Sequence, residues 1–208
     1  MEAQAVRDVL RRFPDLRMSY EEFLGLGADV RGDWIDGRVR PQERAETERH
    51  SMVLRFTSSL VQRYAETRHG GEVLVLFQMR PRPELPSREV DLLYLGPDSR
   101  MRLRDSFVDG PAVLVVEVVS DESRRRDREQ KLREYERGGV RECWLIDTVR
   151  EQADLYRLDA AGRYAQAASG RHAVLRSEAV PGMWFHAEWF WDRTMPRMSD
   201  VRQQWGLA

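Results

Sequence analysis

At 208 residues, 41% apolar and 33% charged, the chain is long enough for one domain with a full core, and too polar to be built around membrane spans. A formal charge of −1, from 34 basic against 35 acidic residues, provides no global basic field that would mark a nucleic-acid binder, and excludes no local one. One cysteine, Cys143, rules out an intrachain disulfide, and four histidines without H-x-H or HExxH spacing argue against zinc. No apolar run approaches the ~20 residues that cross a bilayer. Met1 to Phe13 carries charges throughout and no export-signal core, so the expected location is cytoplasmic.

Val6, Val9, Leu10 and Phe13 fall on one face of a short helix that Pro14 ends. Ser19 caps a second helix, Tyr20 to Leu26. Trp34 to Val39 reads as a hairpin turning at Asp36-Gly37. A long helix follows from about Glu43 to Arg68, with Val53, Phe56, Leu60 and Tyr64 as its apolar face and Gly70-Gly71 as its stop. Strands are expected at Glu72–Phe77, Val90–Leu95 and Ala112–Val119. Ser123 then caps a helix over Arg124–Arg137, which Gly138-Gly139 closes. Arg141–Asp147 is a further strand. Weaker ones lie near Asp154–Leu158, Arg163–Gln166 and Ala173–Leu175. Strands with helices before and between them make an α/β or α+β mixed sheet in one domain.

Glu117 stands in the middle of Leu114-Val115-Val116-Glu117-Val118-Val119, an apolar run typical of a strand covered on both faces. A carboxylate there is costly unless an arginine, a proton or a metal satisfies it. Asp91 opens another apolar strand, and period-2 alternation puts Glu89 on its face. Acids at neighbouring strand positions form a hard oxygen site suited to Mg²⁺. Asp127, Lys131 and Tyr135 share one face of the helix that follows the Glu117 strand. Lys131 is the chain's one lysine, against 33 arginines (34 − 1). Its compact ammonium differs from a planar guanidinium in reach and in tunable pKa. Two carboxylates and an ammonium suit metal-assisted phosphodiester hydrolysis, with the lysine orienting water or stabilising the pentavalent state. Spacing alone favours a salt-bridged structural cluster over such a site, since clusters of this kind also arise in inert proteins.

The segment Ser87 to Leu93, the run Leu114 to Ser120, Arg126 to Leu132 with Tyr135, and Gly139 to Asp147 together resemble the Uma-two family of restriction endonucleases, a branch of the PD-(D/E)XK nuclease superfamily. Met18 to Phe23, Ile35-Asp36-Gly37 and Val180-Pro181-Gly182 resemble it too, so the similarity spans roughly Met18 to Trp191. The resemblance implies a restriction-endonuclease-like fold, a central mixed sheet flanked by helices. It divides the chain into an N-terminal helical extension (1–17), the nuclease domain (18–192) and a C-terminal tail (193–208). It implies a hydrolase, an endonuclease cutting DNA with Mg²⁺ or Mn²⁺. Asp91 and Glu117 would then be catalytic metal ligands, the backbone carbonyl of Val118 a further ligand, and Lys131 the catalytic lysine. The superfamily commonly places that lysine two residues after the second acid, where this chain has Val119; Lys131 matches the variant in which it has moved to the following helix. Val90 stands where the family usually has proline, and Asp33 where it tends to have glutamate.

The alternative is a catalytically silent protein of this fold that binds nucleic acid or a partner protein. Arg124, Arg125, Arg126 and Arg128 are interleaved with acids and read as a solvated helix face, while Arg80, Arg82 and Arg88 are candidates to flank a cleft. Trp184, Trp189, Trp191 and Trp205 are four of the six tryptophans, and read as a subunit contact of a homodimer or higher homo-oligomer. His50 reads as a cap or core residue.

Overall fold

The computed structural model describes residues 3–27, 30–41, 47–119 and 125–207, with residues 3 and 125–128 described as backbone only. Helix α1 (Ala3–Arg12) buries Leu10 against Tyr20, Phe23, Val30 and Val39, but leaves Val9 and Phe13 of its apolar face exposed. Helix α2 (Tyr20–Gly25) begins with a reciprocal cap. Ser19 Oγ accepts from Glu22 N at 3.1 Å, and the Glu22 carboxylate accepts from Ser19 N at 2.7 Å. Strands β1 (Gly32–Ile35) and β2 (Arg38–Pro41) form the expected hairpin, with Asp36 and Gly37 at φ 50° and 80°, the left-handed pair a tight hairpin turn requires.

Helix α3 (Glu48–Arg68) starts where Thr47 Oγ1 accepts from His50 N; the start expected near Glu43 lies outside the described residues. Strands β3 (Glu72–Arg80), β4 (Arg88–Leu95), β5 (Phe107–Asp109) and β6 (Leu114–Val119) precede helix α4 (Arg125–Gly138). Then come β7 (Glu142–Asp147), β8 (Gln152–Leu158), β9 (Tyr164–Gly170), β10 (Val174–Arg176), β11 (Trp184–His186) and α5 (Met198–Gln204). The expected Ser123 cap of α4 lies outside the described residues. Gly139 ends the helix at φ 84°, and a Cβ on Gly138 would meet Pro81 Cβ at 2.6 Å, so the helix end sits directly on the β3–β4 turn.

The main sheet has the order β5-β3-β4-β6-β7-β8-β9. The β3–β5 and β6–β7 pairs are parallel and the others antiparallel, a mixed sheet as expected. One face packs on α3: Leu60, Leu92, Leu114, Val116, Val118, Trp144 and Phe185 belong to a single cluster. The other face packs on α4, where Tyr135 meets Val115, Cys143 and Leu145. Strand β6 is therefore covered on both sides, which explains its unbroken apolar run. Cys143 is a buried, free thiol of this core.

The tryptophan-rich segment departs from expectation. Trp189, Trp191 and Trp205 are buried in the α3-side core of their own chain. Trp205 packs edge-on against Tyr64 at 5.0 Å, and its indole N–H reaches the Trp184 carbonyl at 2.7 Å. These three rings are packed and satisfied within their own chain, because the sheet face beneath them needed large side chains to cover it, while Trp184 is half-buried.

Candidate active site

The two acids come from neighbouring central strands, and a break in strand geometry aims one of them. In β4, Leu92 and Tyr94 face α3 while Leu93 and Leu95 face α4, as alternation requires, yet Val90 joins the α4 side with Leu93. The register pairs Val75 with Leu92 and Phe77 with Val90, and leaves Asp91 and Leu76 out of the ladder, with Leu76 at φ 53°. Such a distortion re-aims a side chain. Arg31 spans it, donating to the Leu76 carbonyl at 2.6 Å and lying 3.5 Å from Glu89. Glu89, expected to join Asp91 as an oxygen ligand, is instead the partner of Arg31, because strict alternation fails between the two acids.

Asp91 Oδ2 accepts from Val118 N at 2.8 Å, which ties the strands together at the height of Glu117. His50 Nε2, from the first turn of α3, lies 3.6 Å from the same oxygen. Burial pushes the Asp91 carboxyl up, but the His50 imidazole, the Lys131 ammonium and the Val118 N–H outweigh it and hold the group below the usual carboxylate range. His50 is thus part of the site. The only sequence signal was its place one turn inside a helix start, which it shares with countless structural histidines.

Glu117 receives both helix residues expected over it. Lys131 Nζ lies 3.1 Å from Oε2, and the Tyr135 hydroxyl donates to Oε1 at 2.5 Å. All three are buried. Burial pushes the Glu117 carboxyl up to about 7; Lys131 and Tyr135 oppose the shift, and repulsion from Asp91 adds to it. The Tyr135 hydroxyl is raised in turn, by burial first and by Glu117 second, so it remains a donor. Asp127, predicted on the same helix face, has its side chain outside the described residues.

Helix α4 carries only Leu132 and Tyr135 as large apolar side chains, so directional polar contacts dock it. The strongest is Arg88. Its Nε and Nη2 grip Glu134 at 2.7 and 2.9 Å, and its Nη1 reaches Asp33 at 2.8 Å, all of it buried. Asp33 also accepts from Glu89 N at 3.0 Å. Asp33 thus holds Arg88 and the Glu89 backbone rather than facing the two acids. This pairing also corrects the expectation that Arg88 flanks a cleft. Arg80 is likewise engaged, its guanidinium stacked 4.4 Å from the Tyr20 ring and 4.8 Å from Trp34, while Arg82 lies on the surface near Glu84. The arginines at 124–126 and 128 lie outside the residues whose side chains are described.

Asp91 and Glu117 are hard oxygen donors, each oxygen with lone pairs beyond the hydrogen bonds described. Among the described residues no group of three or more His, Cys, Asp or Glu converges as a metal cluster. Two carboxylates are the number Mg²⁺ commonly takes while keeping water and phosphate in its remaining positions, so Asp91 and Glu117 would be the residues to hold such an ion. The residues fit such an ion. Among the described residues no helix is long and apolar enough to cross a membrane.

No curated protein matches the chain. Among solved structures, the chain is similar to "a putative nuclease belonging to DUF820" from Anabaena variabilis ATCC 29413, with a TM-score of 0.66 over 82% of this chain and 96% of that one. At 12% identity that likeness concerns the fold. The Uma2 (Uma-two) family profile, described as "Putative restriction endonuclease", matches residues 19–188 and so takes in both acids, Lys131, Tyr135, His50 and Arg88. The chain belongs to the Uma2 family and shares the fold of that solved structure.

Proposed function

We propose that the protein is a divalent-metal-dependent endonuclease that hydrolyses DNA phosphodiester bonds. The observation that carries this reading is the buried contact of Lys131 Nζ with Glu117 at 3.1 Å, beside an Asp91 tied by Val118 N to the same strand. An inert core would gain more from apolar residues at these positions. Asp91 and Glu117 would hold Mg²⁺ or Mn²⁺, with the Val118 carbonyl as a further ligand. When bound, the ion would lower the pKa of a water and offset charge on the phosphate. His50 and the Val118 N–H keep Asp91 ionised and oriented. Tyr135 fixes Glu117 through one oxygen and leaves the other to Lys131. The Lys131 ammonium orients the attacking water and stabilises negative charge on the pentavalent phosphorus. Arg88, through Glu134, sets the helix that delivers both side chains.

The test is incubation of the pure protein with linear and circular DNA, with Mg²⁺, with Mn²⁺ and with chelator. Internal cuts that need the metal and vanish in Glu117→Gln and Lys131→Ala are expected. Salt-sensitive binding with no metal-dependent product would identify a silent binding module instead.

A further inference from the structure

Glu117 belongs to a row that continues across the sheet. In register, Glu117 pairs with Leu145, Leu145 with Asp154 and Asp154 with Ser169. Directly opposed residues share a face, and this face is the one α4 covers, since Glu117 meets Tyr135 and Leu145 packs in the same cluster. With strands ~4.8 Å apart, Asp154 stands about 10 Å from the Glu117 position. A groove of about 290 Å³ opens there between α4 and strands β7 to β9, with Leu132 and Leu145 as apolar wall, the ring of Tyr156 at one side, and Gln152 and Gln166 along its polar edge.

The two glutamines are held in one orientation. Asp154 is 3% exposed, and its Oδ1 accepts from Gln152 Nε2 at 2.8 Å, Gln166 Nε2 at 3.2 Å and Ser169 Oγ at 2.7 Å. Both amide nitrogens donate to the same carboxylate oxygen, so each glutamine turns its NH₂ toward Asp154 and its carbonyl oxygen away from it. The groove therefore combines a ring face for stacking with pre-oriented acceptors. Glu129, Asp147 and Arg150 also border it; with Asp154 that makes three carboxylates against one guanidinium, a net negative lining that disfavours a phosphate and leaves the base end of a nucleotide as the part admitted.

We infer that this groove is a specificity subsite that takes one unpaired nucleobase bearing an exocyclic amine, stacked on Tyr156 and read by Gln152 and Gln166. A base inside a duplex cannot reach a groove on a sheet face beneath a helix, so the strand is single or splayed at that position. The inference rests on the reading of Glu117 and Lys131 as the cleavage centre, because the row that begins at Glu117 places the subsite beside the scissile phosphate.

Fluorescence anisotropy with labelled oligo-dC and oligo-dT tests it, using the full-length protein with Ca²⁺ in place of Mg²⁺. Cytosine presents N4–H₂ where thymine presents an O4 acceptor, which two glutamine carbonyls oppose. Oligo-dC is expected to bind about tenfold tighter than oligo-dT. Gln152→Met with Gln166→Met keeps side-chain length, removes the acceptors and should bring the ratio to about one. Gln166 is exposed, so Gln166→Met alone keeps the fold and should reduce the ratio part-way. Tyr156→Leu should weaken both ligands together and leave their ratio intact. Equal binding of the two homopolymers by the wild type, or a ratio unchanged in the double variant, overturns the subsite. A dC preference without any Mg²⁺- or Mn²⁺-dependent cutting overturns the cleavage reading and leaves the groove's base selectivity standing. Cutting with equal binding overturns the groove alone.

Discussion

Arg88→Met is the perturbation that most directly tests how α4 is held. The guanidinium is 1% exposed and makes three charge-assisted hydrogen bonds, at 2.7, 2.8 and 2.9 Å, to two carboxylates that are 5% and 6% exposed. Methionine fills much of the same volume but leaves Asp33 and Glu134 buried without their cation. Three such bonds at ~1.5–3 kcal/mol each sum to roughly 4.5–9 kcal/mol, but bonds sharing one group are not additive. Breaking one buried pair costs about 3–5 kcal/mol, which is the better guide. In a chain of this size each kcal/mol lowers Tm by roughly 2–4 °C, so a fall of about 10 °C is expected. Thermal unfolding reads the shift in Tm and urea unfolding at neutral pH the loss in free energy, both followed by circular dichroism and tryptophan fluorescence. The triple variant Arg88→Met, Asp33→Asn, Glu134→Gln removes the stranded charges and should recover much of the loss, yet still cleave poorly, because α4 then lacks its directional anchor. A cost below about 1 kcal/mol for Arg88→Met, or a triple variant no more stable than the single one, would refute the argument.

Lys131→Arg keeps the charge but replaces a compact ammonium by a fork in a buried site, and should lower the metal-dependent cleavage rate by roughly 10²–10³, nearly as far as Lys131→Ala; wild-type rates in single-turnover assays would contradict this. In chelator, Glu117 should make the metal-free protein less stable as pH rises. Its carboxyl moves from 4.5 to about 7 on folding, so the contribution is full below 4.5 and lost through 7. The ceiling is about 3 kcal/mol, and Glu117→Gln should flatten that part of the stability–pH curve relative to wild type. Tyr135→Phe removes the donor to Glu117 Oε1 without opening a cavity, and should cost about 1–3 kcal/mol in urea titrations while leaving the far-ultraviolet spectrum unchanged. Trp205→Ala should cost roughly 3–5 kcal/mol, with a Tm independent of protein concentration because its ring packs on Tyr64 of the same chain; a concentration-dependent loss would instead point to a subunit contact.

Much of this architecture was legible locally. The Asp36-Gly37 turn, the Ser19 cap, the α3 face through Val53, Phe56, Leu60 and Tyr64, and the apolar β6 run are each specified within a few residues by φ preference, side-chain hydrogen bonding or period. Even the helix that carries Lys131 and Tyr135 on one face was readable, because i and i+4 neighbours are set by helix geometry. The short strands β5 and β11 carry too few residues for a period to emerge, whereas β10 was read near Ala173–Leu175.

What the sequence by itself determined is which residues share an element and a face: Glu117 inside a buried strand, Lys131 and Tyr135 together on a helix, one lysine among arginines. What only the tertiary structure decided is which faces meet. His50 reaches Asp91 from α3, Arg88 joins Asp33 to Glu134 across separations of 55 and 46 residues, and Asp154 lines up with Glu117 through two intervening register choices. Glu89 and Asp91 separate because one distortion in β4 overrides alternation. The physical reason is common to all four. Pairing partners, register and strand breaks are settled by the free energy of the whole packed sheet, whereas periodicity and capping are settled within a single turn or strand.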